Sequence, residues 1–224
     1  MPVPLFLASA SPARLATLTA AGVDPVVRVS EVDEDAVVAA REAEWGRALA
    51  PEETVLLLAR AKAEEVAAML HAEGVTEGLV LGGDSVFVLD EQIYGKPHEP
   101  AVARERWQKQ QGRTGHLYSG HWLIDLAQAM AEAPNGDTAE KAGAAGEVAV
   151  ASVTFASDIS DAELEAYIHS GEPLKVAGAF TIDSLGAAFI DRIEGDPTTV
   201  IGVSVPTVRR LVKSLGHEWV ELWR

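Results

Sequence analysis

The sequence predicts an α/β protein in which a mixed, twisted β-sheet is flanked by helices. Three observations lead to this prediction. Short β-forming runs alternate with segments of helical periodicity along the first half of the chain. Short runs bounded by glycine and proline, typical of hairpins, follow in the second half. The length of 224 residues, 48% of them hydrophobic, allows one substantial core, or two unequal lobes that share one sheet.

The first predicted elements are a strand and a helix that begins with a proline. Residues 5–8 are apolar and predict the strand. Ser11 suits the N-cap of the helix, and Pro12 suits its first turn. Arg14 follows in the first turn, where the helix dipole disfavours a cation but free backbone N–H groups favour an anion. This position predicts a phosphate site; the alternative is an arginine paired with one of the chain's many acids.

A dense acidic cluster follows the next predicted strand, residues 25–30. Glu31, Asp33, Glu34 and Asp35 fall within five positions. Oxygen ligands at this density suit a hard divalent cation. An acidic run is more often a solvated loop, so the cluster by itself leaves both interpretations open.

The longest helical pattern spans residues 52–74 and ends at a glycine. Lys62 lies on the apolar stripe of this pattern. A lysine at such a position commonly extends its amine along the helix to the surface. The alternative is that Lys62 points inward, into a cleft that holds anions.

Residues 78–97 place one aspartate between two β-forming runs. Asp84 follows Gly82 and Gly83, and the flanking runs leave no room for a helix. We expect a strand break at Asp84. Ligands usually bind at the carboxyl ends of strands, and glycines let a ligand approach the backbone closely, so this position favours a binding site. Lys96 supplies a cation downstream. A β-hairpin with a surface acid and a surface lysine is the alternative.

The rest of the chain predicts further helices and strands within a single domain that spans residues 1–224. Residues 127–146 are small, polar and glycine-bearing, which predicts an exposed insertion. Asp183 is expected at the end of a short strand. The remaining predicted elements are helices at residues 100–111, 160–171 and 204–216 and strands at residues 116–126 and 147–155.

The overall charge limits the range of partners. The formal net charge is -16, from 34 acids and 18 bases, which argues against nucleic acid or an anionic membrane as a partner. A polyanionic substrate would need local cations or a metal. Cysteine is absent, which excludes disulfides and thiolate metal sites. Residues 1–10 lack a basic segment and no apolar run approaches membrane-spanning length, so we expect a cytoplasmic protein; whether it forms a homodimer stays open.

Acids and cations in these positions suit metal-assisted phosphoryl chemistry. The familiar phosphate-binding motifs are absent: the chain has no G-x-x-x-x-G-K-[ST], and the residues after Asp84 lack the second acid of a D-x-D loop. The 6 histidines are too few and too scattered to predict a hydrolase triad. The residues alone therefore predict no more than a divalent-metal enzyme that acts on a phosphate ester.

Short motifs along nearly the whole chain resemble those of the Maf-type nucleoside triphosphate pyrophosphatases. Their number and order make chance agreement improbable. The motifs are LASASPAR at residues 7–14, VDE at 32–34, LARAKA at 58–63, GGDSV at 82–86, YGKP at 94–97, GRTGH at 112–116, GEPLKVAGAFTID at 171–183 and EGDPTTVIG at 194–202.

The resemblance implies a fold and an activity. The implied fold, similar to that of inosine-triphosphatase-like proteins, has two lobes around a central cleft. The implied activity is hydrolysis of a nucleoside triphosphate to the monophosphate and pyrophosphate, with a divalent metal, Mg or Mn. Two alternatives stay open: a nucleotide-binding regulator of cell division without significant catalysis, and a house-cleaning enzyme of the inosine-triphosphate type.

The resemblance also implies roles for individual residues. Asp84 would be the catalytic base, which acts on water either directly or through a metal-bound water, and Glu34 would help Asp84 to hold the metal. Lys96 would take part in catalysis as a ligand of the phosphates. The other residues that would line the triphosphate site are Ser9, Ser11, Arg14, Lys62 and Ser85.

Three positions depart from the family pattern. Many members have an arginine where this chain has Ala13, a threonine in place of Ser85 and a glutamine in place of Asp183. The region of Asp183 is associated with the choice of base. An ionised aspartate accepts hydrogen bonds but cannot donate them as glutamine does. We therefore expect a shift from dTTP and UTP toward bases with more donors on the pairing edge, such as guanine or cytosine types.

Overall fold

The computed structural model describes residues 2–131 and 143–224. The strands are β1 (Leu5–Ala8), β2 (Val26–Val27), β3 (Leu79–Leu89), β4 (Gln92–Tyr94), β5 (Thr114–Asp125), β6 (Ala144–Phe155) and β7 (Ile190–Glu194). The helices are α1 (Pro12–Ala20), α2 (Glu34–Trp45), α3 (Pro51–Ala72), α4 (Pro100–Gln110), α5 (Leu126–Ala131), α6 (Asp161–His169), α7 (Pro197–Ile201) and α8 (Val205–Ser214). Short 3₁₀ helices are Glu172–Lys175, Ala177–Ala179, Leu185–Phe189 and Trp219–Leu222. Among the described helices, a bilayer-spanning apolar segment is not found.

The predicted mixed sheet is confirmed. Seven strands form one sheet with the order β2-β1-β3-β5-β6-β7, and β4 also pairs with β3. β1 runs parallel to both β2 and β3, whereas β3, β5, β6 and β7 pair in antiparallel fashion. β1 is joined to β2 through α1, and β2 to β3 through α2 and α3, so the parallel half has the helical crossovers that parallel pairing requires.

Helices cover both faces of the sheet near β1. Side chains of β3 alternate between these faces, because successive residues of a strand point in opposite directions. Leu79 and Leu81 pack in one cluster with residues of α1 and α8. Val80 packs in a second cluster with residues of α3 on the other face.

The opposite end of the sheet packs on a third cluster, which is rich in aromatic side chains. Phe87 of β3 contacts Phe155 and Phe180 edge to face, and Trp107 of α4 contacts Phe155 in the same way. Such pairs add to the stability gained from burial. Asp84 therefore lies between two separately packed ends of one continuous strand.

The strand break expected at Asp84 is wrong. β3 passes through Gly82, Gly83 and Asp84 without interruption. β5 pairs with β3 along its length, with Asp84 opposite Gly120, so backbone hydrogen bonds hold the glycine pair extended.

Three other segments differ from expectation. Residues 34–45 form α2, which was not predicted, because the helix buries none of its residues and so carries no apolar stripe. The segment around Asp183 forms 3₁₀ helices rather than strands, with Asp183 in an exposed bend. Of the expected insertion at 127–146, the ends belong to α5 and β6, and residues 132–142 lie outside the described residues.

Candidate active site

Asp84 lies beside a gap between two strands that share one edge of β3. β1 pairs with the first part of β3 and ends with Ala8 opposite Gly82. β4 pairs with the last part of the same strand, and its final residue Tyr94 lies opposite Phe87. Within the described part of the chain, residues 83–86 have no strand partner at this edge, although β5 pairs with them on the other side. A ligand can therefore approach the middle of β3 where the sheet is otherwise closed.

Two glycines let α3 lie unusually close to the sheet. A Cβ added to Gly82 would be 2.0 Å from the Ala59 carbonyl oxygen, and one added to Gly120 would be 2.3 Å from the Val55 carbonyl oxygen. Any side chain at these positions would push the helix away. The close approach brings Lys62, one turn beyond Ala59, over the face of β3 that carries Asp84.

Lys62 points inward and joins two acids. Its Nζ lies 2.8 Å from Asp84 Oδ1 and 2.8 Å from Glu34 Oε1. The side chains of Lys62 and Asp84 are 10% and 13% exposed, whereas that of Glu34 is 51% exposed. The amine therefore does not extend to the surface, and the first turn of α2 supplies the outer acid of the cluster.

Burial raises the pKa of the Asp84 carboxyl, because the ionised form loses hydration. The positive charges of Lys62 and Arg14 oppose this shift, and the charge of Glu34 adds to it. A carboxyl group whose pKa is raised toward neutrality is a better proton acceptor than an ordinary aspartate.

Arg14 approaches β3 from the opposite face. Its Nε donates to the Gly202 carbonyl at 2.7 Å, its Nη1 to Ser9 Oγ at 2.9 Å and its Nη2 to Ser85 Oγ at 3.0 Å. All three acceptors are neutral, and Arg14 forms no ion pair within the described ranges. The geometry therefore does not support the alternative interpretation, in which Arg14 is paired with an acid.

The guanidinium of Arg14 has N–H groups beyond those used in these three hydrogen bonds. A guanidinium carries five N–H groups, and the three hydrogen bonds use one on each nitrogen. One N–H on each terminal nitrogen therefore has no partner in the part of the chain that the structure describes. Two such donors suit bidentate binding of a phosphate. Burial lowers the pKa of Arg14, but an arginine side chain stays protonated at neutral pH.

The loop after β1 supports the same group. Ser9 Oγ accepts hydrogen bonds from the Ser11 backbone N–H at 3.2 Å and from Arg14 Nη1. Ser11 is the N-cap of α1, as predicted, and its Oγ accepts from the Arg14 backbone N–H at 3.4 Å. The site thus comprises Glu34, Lys62 and Asp84 on one face of β3 and Ser9, Ser11, Arg14 and Ser85 on the other.

Lys96 and Asp183 lie outside both groups of hydrogen-bonded residues. Lys96 is exposed and follows β4, whose antiparallel pairing directs the chain back toward Asp84. The loop is anchored by Arg106, which donates to the Gly95 carbonyl, and by the His98 N–H, which donates to Leu174. Asp183 is exposed, and within the described residues it has no hydrogen bond.

Two further residues of the network, Ser119 and Asp196, have no role predicted from the sequence. Ser119 Oγ lies 2.8 Å from Ser85 Oγ and donates to the Thr199 carbonyl at 2.9 Å. Asp196 caps α7, whose C-cap Gly202 binds Arg14. An aspartate before a proline is a helix-start signal that was available for Asp196, whereas Ser119 in a strand offers no such signal.

Two of the acids can supply oxygen ligands to a divalent metal. The described residues contain no group of three or more aspartate, glutamate or histidine side chains that could hold a metal ion by themselves. Glu34 and Asp84 nevertheless both reach one point, which Lys62 Nζ occupies. Magnesium is commonly held by one or two carboxylates together with substrate phosphates. A metal held by these two carboxylates would therefore have to replace the Lys62 amine at that point and take its remaining ligands from the substrate.

The fold and the site define a class of protein. It is a mixed α/β protein in which a buried acid at a gap in the sheet has a lysine on one face and an arginine on the other. Such an arrangement suits a ligand that carries several negative charges.

Comparisons with known proteins assign the family. The family model described as Maf-like protein matches residues 4–215, and the chain belongs to this family. A protein of Leifsonia xyli is 58% identical over 98% of this chain and 96% of its own, and one of Rhodococcus opacus is 48% identical over 97% and 94%. Both are named nucleoside triphosphate pyrophosphatase.

One solved structure has a more distant likeness. It is a nucleoside-triphosphatase, or dITP/XTP pyrophosphatase, from Mycobacterium abscessus. The match covers 83% of this chain and 93% of the other at 15% identity, with a TM-score of 0.33. A likeness at this level carries no conclusion about the fold or activity of the present chain.

Proposed function

We propose that the protein hydrolyses nucleoside triphosphates to the monophosphate and pyrophosphate, with Asp84 as general base. The observation that carries the proposal is the position of Asp84 at the gap in β3, where Lys62 and Arg14 flank it from the two faces. The names of the relatives in the same family support the choice of a triphosphate as substrate.

In the proposed reaction, a water oxygen attacks the α phosphorus of the substrate. Asp84 accepts the proton of that water as the new P–O bond forms. The bond between the α phosphorus and the bridging oxygen breaks, and pyrophosphate leaves with the electron pair. The raised pKa of Asp84 favours this proton transfer.

Cations of the chain offset the charge that develops on the leaving group. Arg14 offers two N–H groups, and its acceptors Ser9, Ser85 and Gly202 hold the guanidinium in place before the substrate arrives. Lys62 and Lys96 supply further positive charge. Glu34 and Asp84 would hold Mg or Mn, which when bound would neutralise phosphate charge and polarise the bond that breaks.

The segment 171–186 is proposed to contact the base. Glu172 organises it: the Glu172 carboxylate accepts hydrogen bonds from Tyr167, Thr181, Leu185 and Gly186. Burial opposes ionisation of Glu172, but hydrogen bonds that include those from Thr181, Gly186 and Leu185 lower its pKa to about 2. The fixed carboxylate leaves the exposed Asp183 free to accept donors from a base. We therefore propose that guanine or cytosine types are preferred to dTTP and UTP.

A substrate panel tests these proposals. Wild-type protein is incubated with Mg or Mn and with each common and methylated nucleoside triphosphate, and the products are separated. Monophosphate and pyrophosphate in equal amounts are expected. Diphosphate and orthophosphate would contradict the proposed bond cleavage, and dTTP and UTP as by far the best substrates would contradict the base preference. Tight nucleotide binding without any product would favour the regulator.

A further inference from the structure

Two of the three acceptors around Arg14 depend on α7 and its C-cap. The Gly202 carbonyl accepts from Arg14 Nε at 2.7 Å, and the Thr199 carbonyl accepts from Ser119 Oγ at 2.9 Å. With the Ser119 proton on the Thr199 carbonyl, Ser85 donates its own proton in the 2.8 Å contact between the two hydroxyls, which is shorter than its 3.4 Å contact with the Gly202 carbonyl. Ser85 then directs a lone pair toward Arg14 Nη2.

Asp196 fixes α7 from both ends. Its carboxylate accepts from Thr198 N at 3.1 Å, Thr198 Oγ1 at 2.6 Å, Thr199 Oγ1 at 3.2 Å and Ser204 Oγ at 2.7 Å. Ser204 is the N-cap of α8, and its backbone N–H donates to His121 Nε2 at 2.8 Å. The Thr199 and Gly202 carbonyls lie within the segment that these bonds close.

The hydrogen bonds also keep Asp196 ionised. Burial by itself raises the pKa of this carboxyl, but the bonds from Thr198, Ser204 and Thr199 outweigh burial, and the pKa of Asp196 lies below its usual value. An ionised carboxylate can accept all four donors at once. An asparagine at this position keeps the shape of the side chain but replaces one oxygen with a donor.

We propose that Asp196 is a positioning residue for Arg14. By fixing α7, Asp196 places the Thr199 and Gly202 carbonyls so that Arg14 uses three donors on the protein and presents the other two to phosphate. The inference rests on the proposed function in one respect, namely that Arg14 binds the triphosphate. Asp196 acts on the substrate only through Arg14, whose acceptors Gly202 and Ser85 depend on α7, since its own hydrogen bonds within the described residues go to Thr198, Thr199 and Ser204.

A double-mutant cycle tests the proposal through binding. Calorimetry measures the dissociation constant of an α,β-methylene nucleoside triphosphate for wild type, Asp196→Asn, Arg14→Met and the double variant. We expect Asp196→Asn to weaken binding about tenfold in the wild-type background. In the Arg14→Met background we expect no further loss, because the residue through which Asp196 acts is gone. Losses that multiply in the double variant would overturn the proposal.

A second pair of variants tests the same proposal if Asp196→Asn folds poorly. Ser119→Ala removes the link between Ser85 and Thr199, and Ser119→Thr keeps the hydroxyl. We expect Ser119→Ala to weaken binding severalfold and Ser119→Thr to restore it. Equal affinity of the alanine and threonine variants would contradict the proposal that the hydrogen bonds from Thr199 through Ser119 to Ser85 orient Arg14.

Asp125→Asn is the matched control for general destabilisation. Asp125 is a buried carboxylate that accepts from Ala127, Gln128 and His217, far from α7 in the hydrogen-bond network. The Asp125→Asn substitution should lower the melting temperature without changing nucleotide affinity. If Asp125→Asn weakened binding as much as Asp196→Asn at the same loss of melting temperature, Asp196 would have no specific role.

The binding readout separates this proposal from the proposed function. A wild-type protein that binds the analogue but hydrolyses no triphosphate would contradict the proposed function, and the cycle would still decide the role of Asp196. A wild-type protein that does not bind the analogue would overturn the role of Asp196 together with the site on which it depends.

Discussion

Asp84 is a largely buried carboxylate whose ionisation depends on Lys62. Burial raises its pKa, and Lys62 is the strongest opposing influence. In the metal-free protein we therefore expect carbon-13 NMR to find that Asp84 titrates above the ordinary aspartate pKa of about 3.9. The ionised form would be the active base, so activity should fall when the pH is low enough to protonate Asp84. Titration of Asp84 at or below the ordinary value would contradict this view of the site.

Replacement of Lys62 should change both the titration and the stability. Lys62→Met removes the charge that lowers the pKa of Asp84, so the titration should move to higher pH. Loss of one partner of a buried pair should also lower the free energy of unfolding by about 3 kcal/mol, measured by urea denaturation. Lys109→Met is the control, because Lys109 pairs with Glu105 on the surface. A Lys62→Met titration equal to that of wild type would contradict the assigned contact.

At this scale the sequence indicated residue types better than their contacts. Ser11 and Arg14 could be placed on a helix N-terminus from the pattern alone. The direction of Lys62 could not, because an apolar stripe is compatible with a lysine that points outward or inward. The acceptors of Arg14 come from Ser9, Ser85 and Gly202, and separations of up to 188 residues leave no local signal.

Two elements, α3 and β3, bring Lys62 to Asp84 only because Gly82 has no side chain. Gly82→Ala would place a Cβ 2.0 Å from the Ala59 carbonyl and force α3 away from the sheet. We expect a loss of about 2 kcal/mol in the free energy of unfolding and a weaker Lys62 contact, visible as a higher pKa of Asp84 by NMR. Gly95→Ala is the control for stability, since nothing lies within 4 Å of a Cβ there. Equal stability of the two variants would contradict the close packing.

A buried histidine links β5 to the start of α8. His121 Nε2 accepts from the Ser204 N–H, and Nδ1 lies 3.3 Å from the Glu147 carbonyl, so the neutral ring fits both contacts. Burial lowers the pKa of His121 from 6.5 to about 4. The neutral ring therefore contributes stability that is fully present above pH 6.5 and is lost as the pH falls toward 4, by about 3 kcal/mol in total.

The stability contribution of His121 can be isolated with His121→Gln, which keeps an acceptor near Ser204. Urea denaturation between pH 7 and pH 4 should give a smaller loss of stability for this variant than for wild type, roughly by the 3 kcal/mol assigned to the histidine. His71→Gln, at an exposed position on α3, should behave as wild type. The same pH dependence in wild type and His121→Gln would refute the assignment.

Periodicity predicted the elements that bury an apolar face, such as α3 and β5. It missed α2, which buries none of its residues and begins at a cap supplied by Asp33. It also placed a break in β3, because a glycine pair weakens a strand locally but does not reveal that β5 pairs along it. The gap between β1 and β4 depends on how both strands are aligned along β3. These alignments join residues that are distant in the sequence, so no local pattern predicts them.

At the scale of the whole molecule, a net charge of -16 has to be reconciled with a polyanionic substrate. The reconciliation is local: Arg14 and Lys62 lie on the two faces of β3, and a metal would add further positive charge. The described residues hold no group of three acidic or histidine ligands, so we expect the metal to serve the reaction rather than the fold. A chelator should therefore abolish hydrolysis and leave the melting temperature unchanged. A lower melting temperature with chelator would contradict this expectation.

Asp84 is proposed as the base of a triphosphate pyrophosphatase, and the decisive variant is Asp84→Asn. Pyrophosphate release is measured with Mg or Mn for wild type and for Asp84→Asn, at nucleotide concentrations that saturate both proteins. We expect rapid release by wild type and a rate about 10²–10⁴-fold lower for the variant, with nucleotide binding retained, because general-base catalysis contributes about that factor. Equal rates in the two proteins would contradict the claim.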